Sequence, residues 1–462
     1  MELKGKKALV IGAGKSGIAA ARFLVRRGAE VILNDSADLS AQSDLTKEGI
    51  KLAGGGHPLS LFGALDIVVL SPGVPTGEGD IKEGLSAAIS SGADVISEIE
   101  LASRFTQTPV IAVAGTNGKS TTTLLIGHIL SASGKRVFAG GNLGTPFCQY
   151  LIDGDDADYI VLEVSSFQLE RIAAFKPMIS VMLNITADHL DRYPSMEEYV
   201  EAKKRVFLNQ SPEQFAVVNV EDKISASLVK DIGATVIPFG IKNRHEGGVS
   251  FENCNIVSDI KDHSCRISRE RLHLHGSHNT ENLMAAAAVS LICGMTGEEI
   301  EKSLSGFEGL PHRMEFVSEI EGVFFYDDSK ATNVGALMKS LEGMETEVVL
   351  IAGGRDKKGG YGQLKPLVKQ KVRHLVLIGE AARSIGEILG SDTETSYAAS
   401  MEEAVYKAWK AAKTGDVVML SPAGSSFDMF KSYVHRGDCF KKAVMTIAGA
   451  EEERLRGEGN AL

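Results

Sequence analysis

Residues 109–134 read PVIAVAGTNGKSTTTLLIGHILSASG, and this stretch decides the fold class. The apolar run around Val113 is typical of a buried parallel strand, GTNGKST interrupts it, and the apolar residues that follow recur at helical spacing. A strand, a glycine-rich loop and a helix in this order predict a phosphate-binding loop in an α/β protein. Val113 stands where the strict GxxxxGK pattern has glycine, so the loop is a variant. A glycine-rich turn without a ligand is the alternative.

The residue types within this loop suit a polyphosphate. Gly115 and Gly118 let the backbone approach the phosphates, and successive amides and the helix N-terminus supply hydrogen-bond donors. Lys119 neutralises negative charge, and the Ser120 hydroxyl suits Mg²⁺. We therefore expect a nucleotide with its metal ion at this loop.

A second glycine-rich turn lies near the N-terminus. Residues 7–35 predict a strand, the turn GAGKSG, a helix and a second strand. The turn matches GxGxxG, and Asp35 follows at the distance where dinucleotide-binding domains meet a ribose hydroxyl. The pattern indicates a diphosphate site and leaves open NAD, another nucleotide, or a tight turn without a ligand. The next strand ends at Ser71, which we expect to face the same turn.

Composition excludes several classes of protein. A formal net charge of −11 over 462 residues argues against a sequence-independent nucleic-acid surface. The five cysteines have no paired spacing, so neither a zinc site nor a disulfide framework is predicted. No apolar run reaches the roughly 20 residues of a membrane-spanning helix, and no basic leader precedes the first strand. We expect a cytoplasmic monomer without a nucleic-acid partner and without membrane insertion.

Three residues after the phosphate loop have the chemistry of metal ligands. Glu163 ends an apolar strand, as expected of a carboxylate that shares Mg²⁺ with the loop, although strand-end acids also cap turns. His189 lies in a predicted loop, and Lys203 lies on a helix opened by the capping-box pattern of Ser195 and Glu198. From spacing alone, a structural histidine and a solvated lysine are equally open interpretations.

Polar segments continue towards the C-terminus. Asn279 and Asn282 lie one turn apart on a predicted helix and can hydrogen-bond a base or a ribose. Beyond Met314 strands and helices alternate again, and DDSKATN, GGRDKK and SPAGSSFDMF follow strands where an open sheet presents its ligand loops. Such loops are also polar simply because they face solvent. We expect a helix over SFDMFKSYVHRGDCFKKAVMTI and a frayed tail after it.

Seven motifs follow one another along the chain in this order: GTNGKST, LEVSSFQLE, NITADHLDRY, HNTEN, GLPHR, DDSKATN and SPAGSSFDMF. In this combination the chain resembles the Mur ligases of peptidoglycan synthesis over essentially its whole length. The segments IGAGKSGIAAARFL, SPGVP, HLDRYP and SPAGSSFDMF are most similar to the branch that joins D-glutamate to UDP-N-acetylmuramoyl-L-alanine. We find no DNPR-like segment, which disfavours the tripeptide-forming branch.

The resemblance implies three α/β domains: a Rossmann-like domain for the UDP substrate (1–97), a central P-loop ATP-binding domain (98–309) and a Rossmann-like domain for the amino acid (310–462). The first domain would then bind uridine diphosphate and not NAD. The residues implied for the UDP substrate are Gly14, Lys15, Ser16, Asp35, Ser36, Ser71, Gly73 and Asn142.

The resemblance also implies ATP, two Mg²⁺ ions and a carbamylated lysine. ATP would contact Gly115, Thr116, Asn117, Gly118, Lys119, Ser120, Thr121, Asn279, Asn282, Arg313 and Asp328. One ion would bind Ser120 and Glu163, and the other His189 and a carbamylated Lys203. D-glutamate would contact Thr332, Lys357, Ser426, Phe427 and Tyr433. The expected catalytic residues are Lys119, Glu163, His189, Lys203 and Lys330.

The implied activity is the conversion of a carboxylate into an acyl phosphate, which an amine then displaces. Three alternatives stay open at this point. The first is an NAD(P)-dependent oxidoreductase, which would give GTNGKST no function. The second is a P-loop switch or motor, which is disfavoured because the sequence shows no basic or extended surface for a partner. The sister ligase that adds L-alanine to UDP-N-acetylmuramate shares most of the motifs.

Overall fold

The computed structural model describes residues 1–77, 79–189, 192–268, 277–304, 307, 311–344, 346–355 and 360–459, the last ten of these by their backbone alone. Their strands belong to three α/β sheets. The chain forms two compact units, Met1–Leu272 with Glu281–Phe307, and His273–Thr280 with Glu308–Leu462. The first two sheets lie in the first unit, and the third lies in the second. Within the described parts of the chain, no helix is long and apolar enough to cross a membrane.

The first sheet is built from short, almost fully apolar strands, as expected of a parallel sheet covered on both faces. Its strands are β1 (Lys7–Ile11), β2 (Glu30–Asn34), β3 (Ile50–Ala53), β4 (Ile67–Leu70) and β5 (Asp94–Ser97). Its helices are α1 (Lys15–Arg26), α2 (Asp44–Lys47), α3 (Gly79–Ser90) and α4 (Glu98–Ser103). All strands are parallel in the order β3-β2-β1-β4-β5. The order reverses beside β1, so the loops after β1 and β4 flank the crevice where such sheets bind ligands.

The middle sheet contains the phosphate loop. Its strands are β6 (Val110–Ala114), β7 (Val137–Gly141), β8 (Tyr159–Glu163), β9 (Ile179–Met182), β10 (Phe215–Asn219), β11 (Thr235–Gly240), β12 (Val249–Glu252), β13 (Asn255–Ser258) and β14 (Cys265–Ser268). The helices of this segment are α5 (Lys119–Ala132), α6 (Phe147–Asp153), α7 (Ser166–Leu169), α8 (Met196–Lys204), α9 (Lys223–Leu228), α10 (Ser277–Ile292) and α11 (Gly297–Leu304). The strand order is β14-β13-β12-β11-β10-β9-β6-β8-β7. Because β6 lies between β8 and β9, the segments that follow these three strands meet at one edge.

The third sheet follows the same plan. Its strands are β15 (Glu315–Ile320), β16 (Val323–Asp327), β17 (Val348–Gly353), β18 (Val372–Ile378), β19 (Glu394–Tyr397) and β20 (Val417–Ala423). Its helices are α12 (Val334–Glu342), α13 (Lys365–Lys371), α14 (Ala382–Leu389), α15 (Met401–Ala411) and α16 (Tyr433–Gly459). The strand order is β15-β16-β20-β17-β18-β19, and buried apolar clusters cover both faces. The adjacent strands β16, β20 and β17 therefore bring DDSKATN, SPAGSSFDMF and the described start of GGRDKK, up to Arg355, to neighbouring positions.

The secondary structure agrees with most expectations and corrects two. Strands β12, β13 and β14 pair antiparallel and form a ribbon at one edge of the otherwise parallel middle sheet. The helix expected from SFDMF onwards begins only at Tyr433, because the preceding segment turns back and its Ser425 carbonyl accepts a hydrogen bond from the Arg355 amide (2.8 Å). The tail does not fray where expected, since α16 runs to Gly459 through residues with high helix propensity. The two boundaries between the three expected domains, at 97/98 and 309/310, remain predictions.

Candidate active site

The phosphate loop is held open by two glycines with positive φ. Gly115 has φ +146° and Gly118 has φ +86°, and a Cβ on Gly118 would lie 2.3 Å from the Asn282 amide oxygen. Asn184, two residues after the end of β9, supports the loop, since its carbonyl accepts from the Thr116 amide (2.8 Å) and its side chain accepts from the Asn117 amide (2.8 Å). The loop therefore keeps its shape through contacts within the protein itself.

Lys119 lies at the first position of α5 and folds over the loop. Its ammonium donates to the carbonyls of Gly115 (2.9 Å) and Thr116 (2.7 Å). Those bonds place a positive charge beside backbone amides at a helix N-terminus, which is the arrangement that attracts phosphate groups. Thr121 follows in the first turn of α5 and is buried.

Ser120, Glu163 and Asn142 form one polar group, in which Ser120 and Glu163 are buried and Asn142 is exposed. The Ser120 hydroxyl donates to one oxygen of Glu163 (2.5 Å), and the Asn142 amide donates to the other (2.8 Å). The pairing of Val113 in β6 with Glu163 in β8 brings the carboxylate to the loop. Oxygen donors of this kind suit Mg²⁺, so the expected pairing of Ser120 with Glu163 has the right chemistry for that ion. Asn142 lies at this group and not with the other residues expected for the UDP substrate.

Lys203 and His189 both lie against the ring of Tyr199. The Lys203 Nζ is 4.7 Å from the ring centroid, and the His189 and Tyr199 centroids are 6.4 Å apart. Tyr199 is fixed in turn by its hydroxyl contact with Thr116 (3.1 Å). His189 has a left-handed φ of +57°, which turns the chain sharply after β9. The two residues expected to share a metal ion are thus placed around one aromatic ring.

Burial distinguishes Lys203 from its neighbour. Lys203 is only 2% exposed and donates to the Gly115 carbonyl (2.7 Å), whereas Lys204 pairs with Asp231 (2.8 Å). Removal from water, and then the charge of Lys119, lower the pKa of Lys203 well below its usual range. A lysine that loses its proton readily is the form that adds carbon dioxide, and spacing alone did not separate it from a solvated lysine.

Helix α10 carries the two expected asparagines, and both are buried. The Thr122 hydroxyl donates to the Asn282 amide oxygen (3.2 Å), beside the phosphate loop. Asn279 lies one turn earlier on the same helix. Lys357, expected at the amino-acid site, lies outside the described residues.

The first sheet presents a separate polar site at the ends of β1, β2 and β4. Asp35 accepts hydrogen bonds from the amides of Ala13 (2.7 Å) and Ala37 (2.9 Å). Burial raises the pKa of Asp35, but those amides and the Ser36 hydroxyl outweigh burial and lower it overall. The acidic residue of the fingerprint therefore stays ionised and braces the turn.

The GAGKSG turn is closed on one side and open on the other. A Cβ on Gly17 would meet the Gly12 carbonyl oxygen at 1.8 Å, and the Ser71 hydroxyl donates to that same oxygen (2.9 Å). Beside Gly14, in contrast, a Cβ would meet no atom within 4 Å, and Lys15 is exposed. The open side, with Ser16 at the start of α1, leaves room for a diphosphate at the helix N-terminus.

In the second unit, Asp328 follows β16 and is buried. It accepts hydrogen bonds from the hydroxyls of Ser340 (2.6 Å) and Ser421 (2.8 Å). Burial raises the pKa of Asp328 to about 6 against the effect of these donors. Lys330 follows in the same segment, with its ammonium 3.8 Å from the ring centroid of Tyr433. Thr332 continues the turn through a hydrogen bond from its amide to the Lys330 carbonyl (2.8 Å).

Two residues that the sequence did not single out hold this unit's loops together. Arg436 is fully buried and donates to the carbonyls of Ser329 (2.8 Å) and Gly424 (3.0 Å), which joins DDSKATN to SPAGSS. His312 has φ +63°, contacts Asp327 through Nδ1 (2.7 Å) and accepts the Lys330 amide at its carbonyl (3.0 Å). The GLPHR motif contains His312, and its neighbour Arg313 was expected to contact ATP. The spacing of residues in the sequence, however, did not indicate the long-range contacts of His312 and Arg436.

The remaining residues expected at the amino acid lie at or after the end of β20. Ser426 is buried, whereas Phe427 is 64% exposed. Tyr433 begins α16 and its carbonyl accepts from the Ser329 hydroxyl (2.8 Å). Thr332, Ser426 and Tyr433 are thus carried by segments that the hydrogen bonds of Ser329 and Arg436 connect.

Comparison with known proteins covers almost the whole chain. Family models match for the Mur ligase MurD-like N-terminal domain (residues 6–97), the Mur ligase middle domain (113–290) and the Mur ligase glutamate ligase domain (312–424). UDP-N-acetylmuramoylalanine--D-glutamate ligases of Geotalea daltonii and Geobacter metallireducens are each 44% identical over 455 residues, which is 98% of this chain and 100% of the relative.

Solved structures show the same fold at lower identity. A pseudomurein peptide ligase type C from Methanothermus fervidus has a TM-score of 0.61 at 22% identity, covering 96% of this chain and 100% of that one. A UDP-N-acetylmuramate-alanine ligase from Thermotoga maritima has a TM-score of 0.57 at 19% identity, covering 96% and 99%. From its three domain matches and its full-length relatives, the chain belongs to the Mur ligase family.

Proposed function

We propose that this chain is an ATP-dependent amide ligase that joins D-glutamate to UDP-N-acetylmuramoyl-L-alanine. The observation that carries the proposal is the full-length similarity, at 44% identity, to ligases named for this reaction. It is supported by a phosphate loop in which Lys119, the Ser120–Glu163 pair and Lys203 converge. Hydride transfer by an NAD(P)-dependent oxidoreductase would not require this group of residues.

The first half of the reaction activates a carboxylate. The L-alanyl carboxylate attacks the γ-phosphorus of ATP, the bond to the β–γ bridging oxygen breaks, and an acyl phosphate and ADP result. Two anions must approach each other for this step, so positive charge has to lie between them. Lys119 in the first unit and Lys330 in the second are the lysines proposed for this role. Arg313, Asp328, Asn279 and Asn282 are proposed to hold the nucleotide.

The residues around the loop have the chemistry needed to hold Mg²⁺. Ser120 and Glu163 offer hard oxygen ligands, and Asn142 fixes the carboxylate through a hydrogen bond to its second oxygen (2.8 Å). His189 with a carbamylated Lys203 would form a second position, because carbamylation turns the amine into an oxygen ligand. Bound there, Mg²⁺ neutralises charge on the transferred phosphoryl group. An unmodified Lys203 in the electron density of the metal-saturated protein would contradict this part of the proposal.

The second half of the reaction forms the amide. The amine of D-glutamate, after losing a proton to His189 or to the substrate's phosphate, attacks the acyl carbon and phosphate leaves. Thr332, Lys357, Ser426, Phe427 and Tyr433 are proposed to hold D-glutamate. The UDP part of the other substrate would lie along the open side of the GAGKSG turn, held by Gly14, Lys15, Ser16, Asp35, Ser36, Ser71 and Gly73. Asn142 is proposed near the muramoyl group.

Three domains with boundaries at 1–97, 98–309 and 310–462, a cytoplasmic location and a monomeric state complete the proposal. The test is phosphate release from ATP with UDP-N-acetylmuramoyl-L-alanine and a panel of amino acids. We expect release with D-glutamate alone. Release with L-alanine and UDP-N-acetylmuramate would instead identify the sister ligase, and NADH-dependent turnover without phosphate release would refute ligase activity altogether.

A further inference from the structure

The loop after β4 contains a tight turn at residues 71–74. The Val74 amide donates to the Ser71 carbonyl (3.2 Å), so Pro72 and Gly73 are its two central residues. A Pro-Gly pair at these positions favours a type II turn, in which glycine has φ near +80°. Gly73 is absent from the glycines with φ in the left-handed region. The turn is therefore not of the type that its sequence favours.

The difference concerns the peptide between Pro72 and Gly73. This central peptide is flipped by about half a rotation between type I and type II turns, so the turn type decides where its carbonyl and its amide point. In a planar trans peptide the C=O and N–H groups point in opposite directions. A contact that holds the Pro72 carbonyl consequently sets the direction of the Gly73 N–H.

Arg192 makes that contact. Its Nη1 donates to the Pro72 carbonyl (2.8 Å), although the two residues are 120 positions apart. The guanidinium is held in place by Glu170, 3.3 Å from Nη2, and by the ring of Phe167, whose centroid lies 4.0 Å from Cζ. Stacking on the ring together with a carboxylate partner fixes the planar group in one orientation. One side chain thus connects the segment after His189 to the turn after β4.

We propose that Arg192 is a positioning residue that holds the Pro72–Gly73 peptide so that the Gly73 N–H faces the UDP-muramoyl substrate. The inference rests on the proposed function, in which Ser71 and Gly73 contact that substrate. Gly73 is exposed, and a Cβ there would meet no atom within 4 Å, so the turn has space beside it for a ligand. Without Arg192 the Pro-Gly pair would relax towards type II and turn the amide away.

The test compares steady-state kinetics of Arg192→Gln and the wild type for all three substrates. Loss of a charge-assisted hydrogen bond that orients one donor predicts a rise of about tenfold in KM for the UDP substrate. The kcat and the KM values for ATP and D-glutamate should stay within about twofold, since the interaction acts on binding of one substrate. The KM of Arg192→Lys for the UDP substrate should lie between those of the wild type and Arg192→Gln. An ammonium still donates to the Pro72 carbonyl but lacks the planar pair of donors of a guanidinium.

A second substitution gives a result that a purely structural role would not produce. In the Arg192→Gln background, Gly73→Ala should lower the KM for the UDP substrate at least threefold relative to Arg192→Gln alone. This change would recover roughly half of the binding free energy that Arg192→Gln loses. An L-residue resists the positive φ of a type II turn, so alanine keeps the central peptide in its observed orientation. The matched control is Arg22→Gln, which breaks the ion pair between Arg22 on α1 and Glu48 just after α2 (2.7 Å).

Equal rises in all three KM values, the same pattern in Arg22→Gln, or no recovery in the double variant would overturn the inference. If Arg192→Gln lowers the melting temperature below the assay temperature, the same KM comparisons are made with Arg192→Lys and with the double variant Arg192→Lys/Gly73→Ala, and the same outcomes overturn the inference. A wild-type chain without D-glutamate-dependent phosphate release would overturn the proposed function as well. An active wild type with uniform changes in the variants would overturn this inference alone.

Discussion

The turns GAGKSG after β1 and GTNGKST after β6 have the same local architecture and different surroundings. Each follows a parallel strand and opens a helix. Around the second turn lie Lys119, the Ser120–Glu163 pair and Lys203. Around the first, Asp35 accepts a loop amide and Lys15 is exposed. We propose that each glycine-rich turn supplies backbone donors for phosphate, and that the surrounding side chains decide whether the phosphate is only bound or also transferred.

The largest expected effect separates these two roles. Lys119→Ala should lower D-glutamate-dependent phosphate release at least a thousandfold, because charge on the transferred phosphoryl group loses its fixed partner. The equilibrium dissociation constant for the UDP substrate, measured by calorimetry, should stay unchanged. Phosphate release within about tenfold of the wild type would contradict the role of this loop in phosphoryl transfer.

The matched substitution in the other turn is Lys15→Ala. It should raise KM for the UDP substrate and leave kcat nearly unchanged, because an exposed lysine contributes to binding and not to the transfer step. If both lysine variants lost kcat equally, the distinction between the two turns would be wrong.

The sequence predicted what depends on local patterns. Both glycine turns, the strand that ends at Glu163 and the helix that carries Lys203 lie where periodicity and capping residues placed them. The short strands β3, β11 and β19 were not predicted. IKLA of β3 is only four residues long, TVIPFG of β11 contains a proline, and ETSY of β19 has no aliphatic side chain.

The contacts that shape the site were less accessible to sequence reasoning. Arg436 and His312 act through carbonyls and carboxylates of distant segments, and such partners leave no spacing signal. Lys203 looked like a solvated lysine, and only the packing of α8 shows that it is buried. Local patterns thus locate the turns, whereas the side chains that distinguish their roles emerge from tertiary packing.

Helix α4 keeps the two turns in one compact unit, and it does so with two unlike carboxylates. Glu100 accepts the amides of Ala173 (2.9 Å), Ala174 (3.0 Å) and Phe175 (2.8 Å) from the middle sheet's side. One oxygen of Glu98 accepts the Cys148 amide (2.5 Å), and its other oxygen has no hydrogen-bond partner among the described residues. Burial raises the pKa of Glu98 to about 7.

That pKa predicts a second effect, on stability. Because the folded state binds the Glu98 proton more tightly than the unfolded state, its stabilisation is complete below pH 4.5 and is lost as pH rises to about 7. The lost contribution is about 3 kcal/mol. Urea unfolding should show this decline in the wild type relative to Glu98→Gln, which cannot titrate. Parallel pH profiles for the two proteins would mean that Glu98 is already ionised at pH 5 in the folded state.

The smallest expected effect is that of alanine substitutions at one glycine in each of the two turns. Gly118→Ala places a side chain at φ +86° and 2.3 Å from the Asn282 oxygen, so it should lower the free energy of unfolding by about 2 kcal/mol. Gly14→Ala meets no atom within 4 Å and has φ −74°, so its effect should stay within about 0.5 kcal/mol. Urea unfolding measures both values. Equal losses of unfolding free energy would mean that the two turns are equally strained. A larger loss for Gly118→Ala would show that only the phosphate loop of the middle sheet is packed against a neighbouring helix, because the turn of the first sheet has open space beside Gly14.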